Sequence, residues 1–426
     1  MHKQGSLLSL VLLRTFSRGH FGAAFVPPFV PEGSSLAATP KHNRNSTPAT
    51  VIMANAKDST LTEIDKDGNL KRAESTFRST VSNAKDSVHT PGAFFRSSSE
   101  FRKSVSPDNS TFQPEAGRYH LYVCTACPWS QRALITWALK GLQGVVGMSA
   151  THPTWQKTRP SDDNDHHYGW AFADPSDAPF LPPSGHGLVN SDGSIPDPLH
   201  GFKTVRDMYD MAVGPGKLKK YTVPVLWDEK TKTVVNNESS EIIQIFNAAF
   251  NDVEGVGNPG LDLAPKGPQE EAWAKEVDGW MYDEVCNGVY KAGFAHTQEA
   301  YDRAVTSLFI HLDKLEEVLK TRRYLAGDRV TLSDVRVFPS LVRFDEVYNV
   351  YFKCNKKRLA DYPNILNYCR DLYQTHPDGF ASTTNMDHIK KHYYTSHAAL
   401  NTYSIIPVGP DFLSTLREPH DRNRKF

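Results

Sequence analysis

The residue best placed for chemistry is a cysteine that is followed directly by proline. Residues 119–123 alternate as a strand does, and the chain then continues to Cys127, Pro128 and Trp129. Proline is favoured at the first position of a helix because its missing N–H group would be unsatisfied there. We therefore predict that Cys127 caps a helix, where free backbone N–H groups and the positive end of the helix dipole favour the reactive thiolate.

Two neighbours limit the kind of thiol chemistry that this cysteine can perform. In a dithiol Cys-Pro-x-Cys site the nucleophile precedes proline and its partner lies three residues later, but this chain has Ser130 at that position. Cys127 is therefore predicted to work as a single thiol, with the second thiol supplied from outside. Cys124 is either a small bystander side chain or the partner of Cys127 in a regulatory disulfide. The remaining cysteines fall in helical surroundings and are predicted to be structural: Cys286, Cys354 and Cys369.

The elements after this cysteine alternate between helix and strand. A helix is predicted over 128–140, with Gly141 at the position where a glycine commonly ends a helix, and a second strand over 145–149. The following segment, 157–200, is rich in Pro, Asp, Gly, Ser and His and lacks periodicity. It is too long for an ordinary connection and is predicted to be an inserted surface loop.

A hairpin and a helix complete this part of the chain. Residues 221–227 and 233–235 are predicted to form two strands joined by a turn, and a helix is predicted to begin near Ser239. Pro224 indicates either a cis-proline at the start of a strand or an edge strand. The resulting order is βαβ followed by ββα.

The length of 426 residues predicts two domains plus tails. Beyond Pro268 the pattern is helical, and the apolar residues from Val305 to Leu319 mark one face of a long helix. Thr331 and Asp334 have the spacing of a capping box, which we assign to folding. We divide the chain into a targeting presequence (1–55), an arm that lies over the core (56–115), an α/β domain (116–255) and an all-helical domain (265–426).

The first 55 residues have the composition of a disordered targeting presequence. A short apolar run, 7–13, is followed by Arg14, Arg18 and Ser, Thr, Pro and Ala-rich sequence, and Glu32 is the only acidic residue before position 58. The segment resembles the bipartite plastid presequences of algae with secondary plastids, which predicts a plastid protein. A mitochondrial presequence is the alternative, and initiation at Met53 would give a cytosolic form.

Composition excludes several classes of partner. The 48 Lys and Arg residues balance 48 Asp and Glu residues, so no excess charge predicts binding to nucleic acid or to an anionic membrane. No apolar run reaches the roughly 20 residues of a membrane span. Neither a glycine-rich phosphate loop nor a cluster of metal ligands is found, so we predict no nucleotide and no metal. His388 and His392 are four residues apart but lack the glutamate of a zinc protease helix, and we assign them to the surface.

Six motifs in order resemble one enzyme family, the glutathionyl-hydroquinone reductases, or Xi-class glutathione transferases. The resemblance runs from about residue 70 to the C-terminus, interrupted by 157–200, and implies a thioredoxin-like domain followed by an all-α domain. It is carried by Ala126-Cys-Pro-Trp129, Thr222-Val-Pro-Val-Leu-Trp227, Asn236-Asn-Glu-Ser-Ser-Glu241, Asn287-Gly-Val-Tyr-Lys-Ala-Gly293, Tyr348-Asn-Val-Tyr-Phe-Lys-Cys354 and Glu418-Pro-His420.

This resemblance implies a reaction in which glutathione reduces a glutathionyl-hydroquinone to the free hydroquinone. Cys127 would attack the glutathione sulfur, and a second glutathione would resolve the mixed disulfide. A general glutathione-dependent thiol transferase or dehydroascorbate reductase is the first alternative, and a non-catalytic binding protein is the second. The resemblance also implies a homodimer.

The resemblance assigns residues to both substrates. For glutathione it implies the backbone of Val223 beside Pro224, the residues Glu238 and Ser239, and Trp170. A helix that begins near Ser239 offers N–H groups for a carboxylate, and Glu238 offers a negative charge for an ammonium. For the hydroquinone it implies Tyr290 and Tyr393 as hydroxyl donors, with the adjacent Tyr394 as the alternative to Tyr393.

Overall fold

The computed structural model describes residues 92–218 and 220–426, together with the backbone of two short strands. These strands, β1 (Glu63–Ile64) and β2 (Leu70–Lys71), pair antiparallel. The presequence predicted over 1–55, with its plastid signal and Met53, lies outside the described residues, as does most of the arm before residue 92. The described part of the arm lies against the sheet that follows, where Lys103 N donates to Val235 O at 3.1 Å.

Four strands form the central sheet, in the spatial order β4-β3-β7-β8. The parallel pair is β3 with β4, and β7 runs antiparallel to both β3 and β8. Because β7 lies inside the sheet and begins after Pro224, the proline is not on an edge strand; the Val223–Pro224 peptide is cis. The strands are β3 (Tyr119–Val123), β4 (Val146–Ala150), β7 (Val225–Asp228) and β8 (Thr233–Asn236).

Helices cover both faces of this sheet because side chains along each strand alternate between the faces. On one face Leu121 and Val123 pack with α1 (Pro128–Leu139) and α3 (Ser239–Ala248). On the other face Tyr122 packs with α2 (Val205–Val213). The predicted thioredoxin-like arrangement is thereby confirmed. The sequence reading missed α2, although Thr204 and Asp207 form its capping box.

The segment 157–200 is irregular, as predicted, but the expectation that it lies on the surface is wrong for parts of it. The strands β5 (Gln156–Lys157) and β6 (Tyr168–Gly169) pair antiparallel as a short hairpin. Trp170 and Phe172, which follow it, are buried in the core beside α2. The carboxylate of Asp197 accepts a hydrogen bond from Tyr122 Oη at 2.8 Å. Polar composition hid this burial because Asp197 also accepts from backbone N–H groups of its own segment.

Residues from 267 onward form the all-helical domain, so this prediction is confirmed. The predicted apolar face of α6 is buried at Leu308, Leu312, Leu315 and Leu319. The helices are α4 (Gly267–Trp280), α5 (Gly288–Gly293), α6 (Gln298–Thr321), α7 (Leu332–Leu341), α8 (Pro363–Thr375), α9 (Met386–Ser396), α10 (Phe412–Leu416) and α11 (Arg422–Lys425), with π-helical turns at Met281–Cys286 and Phe344–Tyr348 and a 3₁₀ turn at Leu359–Asp361.

Asp334 in the first turn of α7 organises the start of this helix. Its carboxylate accepts from Leu325 N at 3.0 Å, from Tyr368 Oη at 2.8 Å and from both N and Oγ1 of Thr331. The residue is 0% exposed. We expect Asp334→Ala to lower the free energy of unfolding by about 3 kcal/mol, because four buried donors lose their acceptor.

Urea unfolding monitored by circular dichroism measures this loss. The matched control is Asp328→Ala, an exposed aspartate six residues upstream, which is expected to change stability by about 0.5 kcal/mol or less. Equal losses for the two variants would contradict a role of Asp334 in folding.

Candidate active site

Cys127 lies where the sequence predicted, at the junction of β3 and α1. It is the N-cap residue of α1, and Pro128 occupies the first helical position. The cysteine is 6% exposed, and its Sγ lies 3.8 Å from the carbonyl oxygen of Val223. The sulfur therefore lies between the open N-terminus of a helix and the backbone that precedes β7.

Cys124 is on the strand side of the same turn and is fully buried. Burial raises the pKa of the Cys124 thiol to about 12, with the nearby Cys127 sulfur as the next contribution. Both cysteines are free thiols. Ser130 Oγ accepts from the backbone N–H of Cys124 at 3.3 Å. Ser130, which occupies the position of the second cysteine in a dithiol site, therefore stabilises the turn by a hydrogen bond. A protonated, buried Cys124 is a poor nucleophile.

Cys127 opens into a cavity that we call the aromatic cavity. Four of the sequence-predicted residues line it with the cysteine: Trp170, Val223, Tyr290 and Tyr393. The structure thus brings together side chains that are up to 266 positions apart in the sequence, Cys127 and Tyr393. Its further aromatic lining residues are Phe94, Trp129, Trp155, Tyr168, Tyr221, Phe294, His167, His392 and His397.

A second depression, the polar groove, adjoins this cavity. It contains the other predicted residues, Pro224, Glu238 and Ser239. Val223 lines both depressions, and among the described residues its backbone N–H and C=O form no backbone hydrogen bond. The N–H group is therefore available to an extended peptide that would lie along the groove, and the C=O group, which lies 3.8 Å from Cys127 Sγ, can accept a second hydrogen bond. The residues shared with the aromatic cavity are Phe94, Arg96, Trp129, Lys220, Thr222 and Val223.

Glu238 and Ser239 occupy the N-terminus of α3. Glu238 is the N-cap residue, and its Oε1 accepts from Ser240 N at 3.2 Å. Its Oε2 accepts from Ser99 Oγ at 2.9 Å, so the arm reaches the groove. Ser239 begins the helix, where backbone N–H groups attract a carboxylate. An anion and a cation of one ligand can both be bound at this helix end.

The tyrosines of the aromatic cavity are hydrogen-bonded to each other. Tyr290 Oη lies 2.5 Å from Tyr393 Oη. Tyr393 Oη lies 3.1 Å from the hydroxyl of Tyr348. Tyr348 begins one of the six motifs but was not predicted to be a site residue. Burial raises the pKa of all three hydroxyls. Tyr394, the alternative to Tyr393, instead donates to Glu346 O at 3.0 Å and does not line the aromatic cavity.

Two cations at the boundary of the depressions were not predicted. Arg96 comes from the arm, and its guanidinium lies 4.7 Å from the ring centre of Trp129 and 5.1 Å from that of Tyr290. Burial, with Arg96 as the next cause, lowers the pKa of Lys220. No pattern in the serine-rich run around Arg96 could have indicated this contact, because it joins segments far apart in sequence.

Arg343 was also missed, although it donates hydrogen bonds to the turn that bears the cysteine. The residue follows α7 and is 0% exposed. Its Nε and Nη2 donate to the carbonyl oxygen of Ala126 at 3.1 and 3.0 Å, and its Nη1 donates to Pro339 O at 2.6 Å and to Oε1 of Gln131. The helical domain therefore holds the residue that precedes Cys127.

The assignment of His388 and His392 to the surface is wrong. His388 is 1% exposed and His392 is 6% exposed. Nδ1 of His388 lies 2.6 Å from Thr125 Oγ1, and Nδ1 of His392 lies 2.8 Å from Pro153 O. Burial lowers the pKa of both residues. Helix α9 packs against the α/β domain, so a face that is polar in sequence meets backbone acceptors and the hydroxyls of Thr125 and Thr154.

Across 92–218 and 220–426, no group of three or more His, Cys, Asp or Glu side chains is arranged to bind a metal ion. None of the described helices combines the length and the hydropathy that crossing a membrane requires.

Two family models match this chain. The model for the glutathione S-transferase N-terminal domain covers residues 126–249, and the model for the C-terminal domain covers residues 298–371. Together with the thioredoxin-like and all-helical domains, these matches define a glutathione transferase.

Curated relatives indicate which group of glutathione transferases this chain resembles. Glutathionyl-hydroquinone reductase YqjG of Escherichia coli is 40% identical over 348 residues, which are 80% of this chain and 95% of YqjG. Glutathionyl-hydroquinone reductase PcpF of Sphingobium chlorophenolicum is 40% identical over 325 residues, 76% of this chain and 92% of PcpF.

Solved structures agree with these relatives. Glutathione S-transferase Xi from Phanerochaete chrysosporium is 43% identical, with a TM-score of 0.65 over 75% of this chain and 98% of that one. Glutathione-bound YqjG is 40% identical, with a TM-score of 0.65 over 77% of this chain and 97% of that one. The chain belongs to the Xi class of the glutathione transferase superfamily.

Proposed function

We propose that the protein uses glutathione to reduce glutathionylated hydroquinones to free hydroquinones, through a mixed disulfide on Cys127. One observation carries the proposal: Cys127 lines a cavity with tyrosine hydroxyls for an aromatic diol, and this cavity shares Trp129 and Val223 with a groove that has the charges for glutathione. A glutathionylated hydroquinone has the same two halves, joined at the sulfur that a thiolate would attack.

The proposed reaction balances in two steps. The Cys127 thiolate attacks the glutathione sulfur, an S–S bond forms, and the bond between sulfur and ring carbon breaks. The released electron pair remains on the ring carbon and takes up a proton, which gives the free hydroquinone. The thiolate of a second glutathione then attacks the mixed disulfide, releasing oxidised glutathione and regenerating the Cys127 thiolate. The thiol proton of this second glutathione replaces the proton that the ring consumed.

In this proposal the groove residues hold glutathione. The backbone N–H and C=O of Val223, beside Pro224, pair with the cysteinyl portion in the manner of a β-strand. The helix N-terminus at Ser239 binds the γ-glutamyl carboxylate, and Glu238 binds the ammonium. Trp170 lines the aromatic cavity together with Cys127, and in this proposal its ring covers the bound glutathione.

In this proposal the residues of the aromatic cavity bind the hydroquinone ring. Tyr290 and Tyr393 place their hydroxyl groups beside the hydroquinone, and one of them supplies the proton to the carbon that loses sulfur. A thiol transferase that acts on simple disulfides has no use for such donors, because a thiolate leaves without carbon protonation. The buried hydroxyls therefore favour hydroquinone release over the general thiol transferase reaction.

Stoichiometry tests this proposal. Purified protein with excess glutathionylated naphthohydroquinone and no free glutathione is expected to release one hydroquinone per site and to gain the mass of one glutathione on Cys127. Added glutathione is expected to restart turnover, with one oxidised glutathione formed per hydroquinone. Dehydroascorbate reduction without hydroquinone release would favour the first alternative, and absence of both reactions would favour a binding protein.

The plastid location and the homodimer stay predictions of the sequence. Fluorescence of residues 1–55 fused to a reporter tests the first, and the mass of the protein in solution tests the second.

A further inference from the structure

Tyr348 stands apart from the other two hydroxyls of the cavity because it has no access to the ligand space. It is 0% exposed, whereas Tyr290 is 8% exposed and Tyr393 is 1% exposed, and it does not line the aromatic cavity. Its ring stacks on Phe352 with a centroid distance of 5.5 Å. Its hydroxyl lies 3.1 Å from Tyr393 Oη, and the Tyr290 hydroxyl is its second polar neighbour.

The positions of the three hydroxyls determine the direction of their hydrogen bonds. Each phenol carries one proton, and Tyr393 lies between the other two. If Tyr290 donated to Tyr393 and Tyr393 to Tyr348, the buried proton of Tyr348 would have to turn to the Tyr290 hydroxyl. Among the described residues these two hydroxyls form no hydrogen bond of normal geometry, so this direction is unfavourable. The opposite direction satisfies every group, because Tyr348 donates to Tyr393, Tyr393 donates to Tyr290, and the proton of Tyr290 points into the cavity.

We propose that Tyr348 is a positioning residue that fixes this direction, so that Tyr290 delivers the proton to the ring carbon. The inference rests on the proposed function and names the proton donor and its support. Tyr348 does not touch the substrate, and it acts through Tyr393.

The same direction also stabilises the product of proton transfer. When the bond from ring carbon to sulfur breaks, the electron pair on carbon takes the proton of Tyr290, and Tyr290 becomes a phenolate. Tyr393 already donates to that oxygen, so the donor needs no reorientation at the moment of reaction. The guanidinium of Arg96, 5.1 Å from the Tyr290 ring centre, adds a positive charge beside the phenolate. The proton released by the second glutathione restores the phenol.

The experiment compares two substrates that both require Cys127. One is a glutathionylated naphthohydroquinone, whose leaving carbon needs a proton. The other is the mixed disulfide of glutathione with 2-mercaptoethanol, whose leaving group is a thiolate. We expect Tyr348→Phe to lower kcat for hydroquinone release by about 10-fold, with KM unchanged, because it removes one hydrogen bond that supports a developing charge. The mixed-disulfide reaction is expected to keep its wild-type rate, which also reports that the variant is folded.

Tyr394→Phe is the matched control. Tyr394 is buried, its hydroxyl also donates to a single acceptor, Glu346 O, and it lies outside the cavity, so neither reaction is expected to change. The double variant with Tyr290→Phe adds an independent readout. Once Tyr290 is absent, Tyr348→Phe is expected to have no further effect, since both act in one chain.

Four results would overturn the inference. Equal losses on both substrates would make Tyr348 merely structural, and an unchanged kcat would remove its role in hydroquinone release. Additive losses in the double variant would separate it from Tyr290. A wild-type protein that reduces the mixed disulfide but releases no hydroquinone would overturn the proposed function itself, and the inference with it.

Discussion

Cys127→Ser is expected to abolish hydroquinone release, with kcat/KM lowered by on the order of 10³-fold or more, as for loss of a catalytic nucleophile. The helix N-terminus at this position favours an anion, but a serine hydroxyl stays protonated there and cannot form a disulfide. Serine differs from cysteine only in having oxygen in place of sulfur, so the side-chain volume changes little and glutathione is still expected to bind. Product release is measured by absorbance, and covalent glutathione by intact mass.

Cys124→Ser is the control for this variant. Cys124 is buried and its thiol is held protonated, so its loss is expected to leave most of the activity and the full mass increase on Cys127. If Cys127→Ser released hydroquinone at the wild-type rate, or if Cys124→Ser removed the adduct, the nucleophile would be wrongly assigned. Loss of an oxidation-induced inhibition in Cys124→Ser would instead support the regulatory disulfide.

The parts of the site that were predictable from sequence depend on local signals. A strand end followed by proline is sufficient to locate the helix cap at Cys127, and the run before Ser239 is sufficient to locate the start of α3. Tyr290 and Tyr393 were assigned to the site only by their positions in the motifs. The packing of α9 then decides that Tyr393, and not Tyr394, faces the cavity. Side-chain direction on a helix follows from what the helix packs against.

The parts that were missed depend on contacts between distant segments. His392 is polar and lies in a polar helix, yet it is buried against Pro153 O because α9 covers the segment after β4. The segment 157–200 has a loop composition but contributes Trp170 to the core. Arg96 gives no signal within a run of serines. In each case the burial is produced by a partner that is absent from the local sequence.

Arg343 is the strongest example of such a contact, and its removal is expected to affect both stability and catalysis. The guanidinium is fully buried and donates to Ala126 O, Pro339 O and Gln131 Oε1. We expect Arg343→Met to lower the free energy of unfolding by about 3 kcal/mol, since buried acceptors are left unpaired. Activity on both substrates is expected to fall together, by on the order of 10²-fold, because the turn that positions Cys127 loses its support. This common loss would distinguish Arg343 from Tyr348.

Two further variants separate position from charge and stability. Arg343→Lys keeps the charge but lacks the planar fork that reaches several acceptors at once, so it is expected to recover little activity. Arg422→Met is the matched control, because Arg422 is 1% exposed and also donates to backbone carbonyls, at Leu319, Arg322 and Arg323. It is expected to lose similar stability but, assayed well below its unfolding temperature, to keep its activity. Equal activity losses in Arg422→Met and Arg343→Met would mean that lowered stability, and not the turn before Cys127, explains the effect of Arg343.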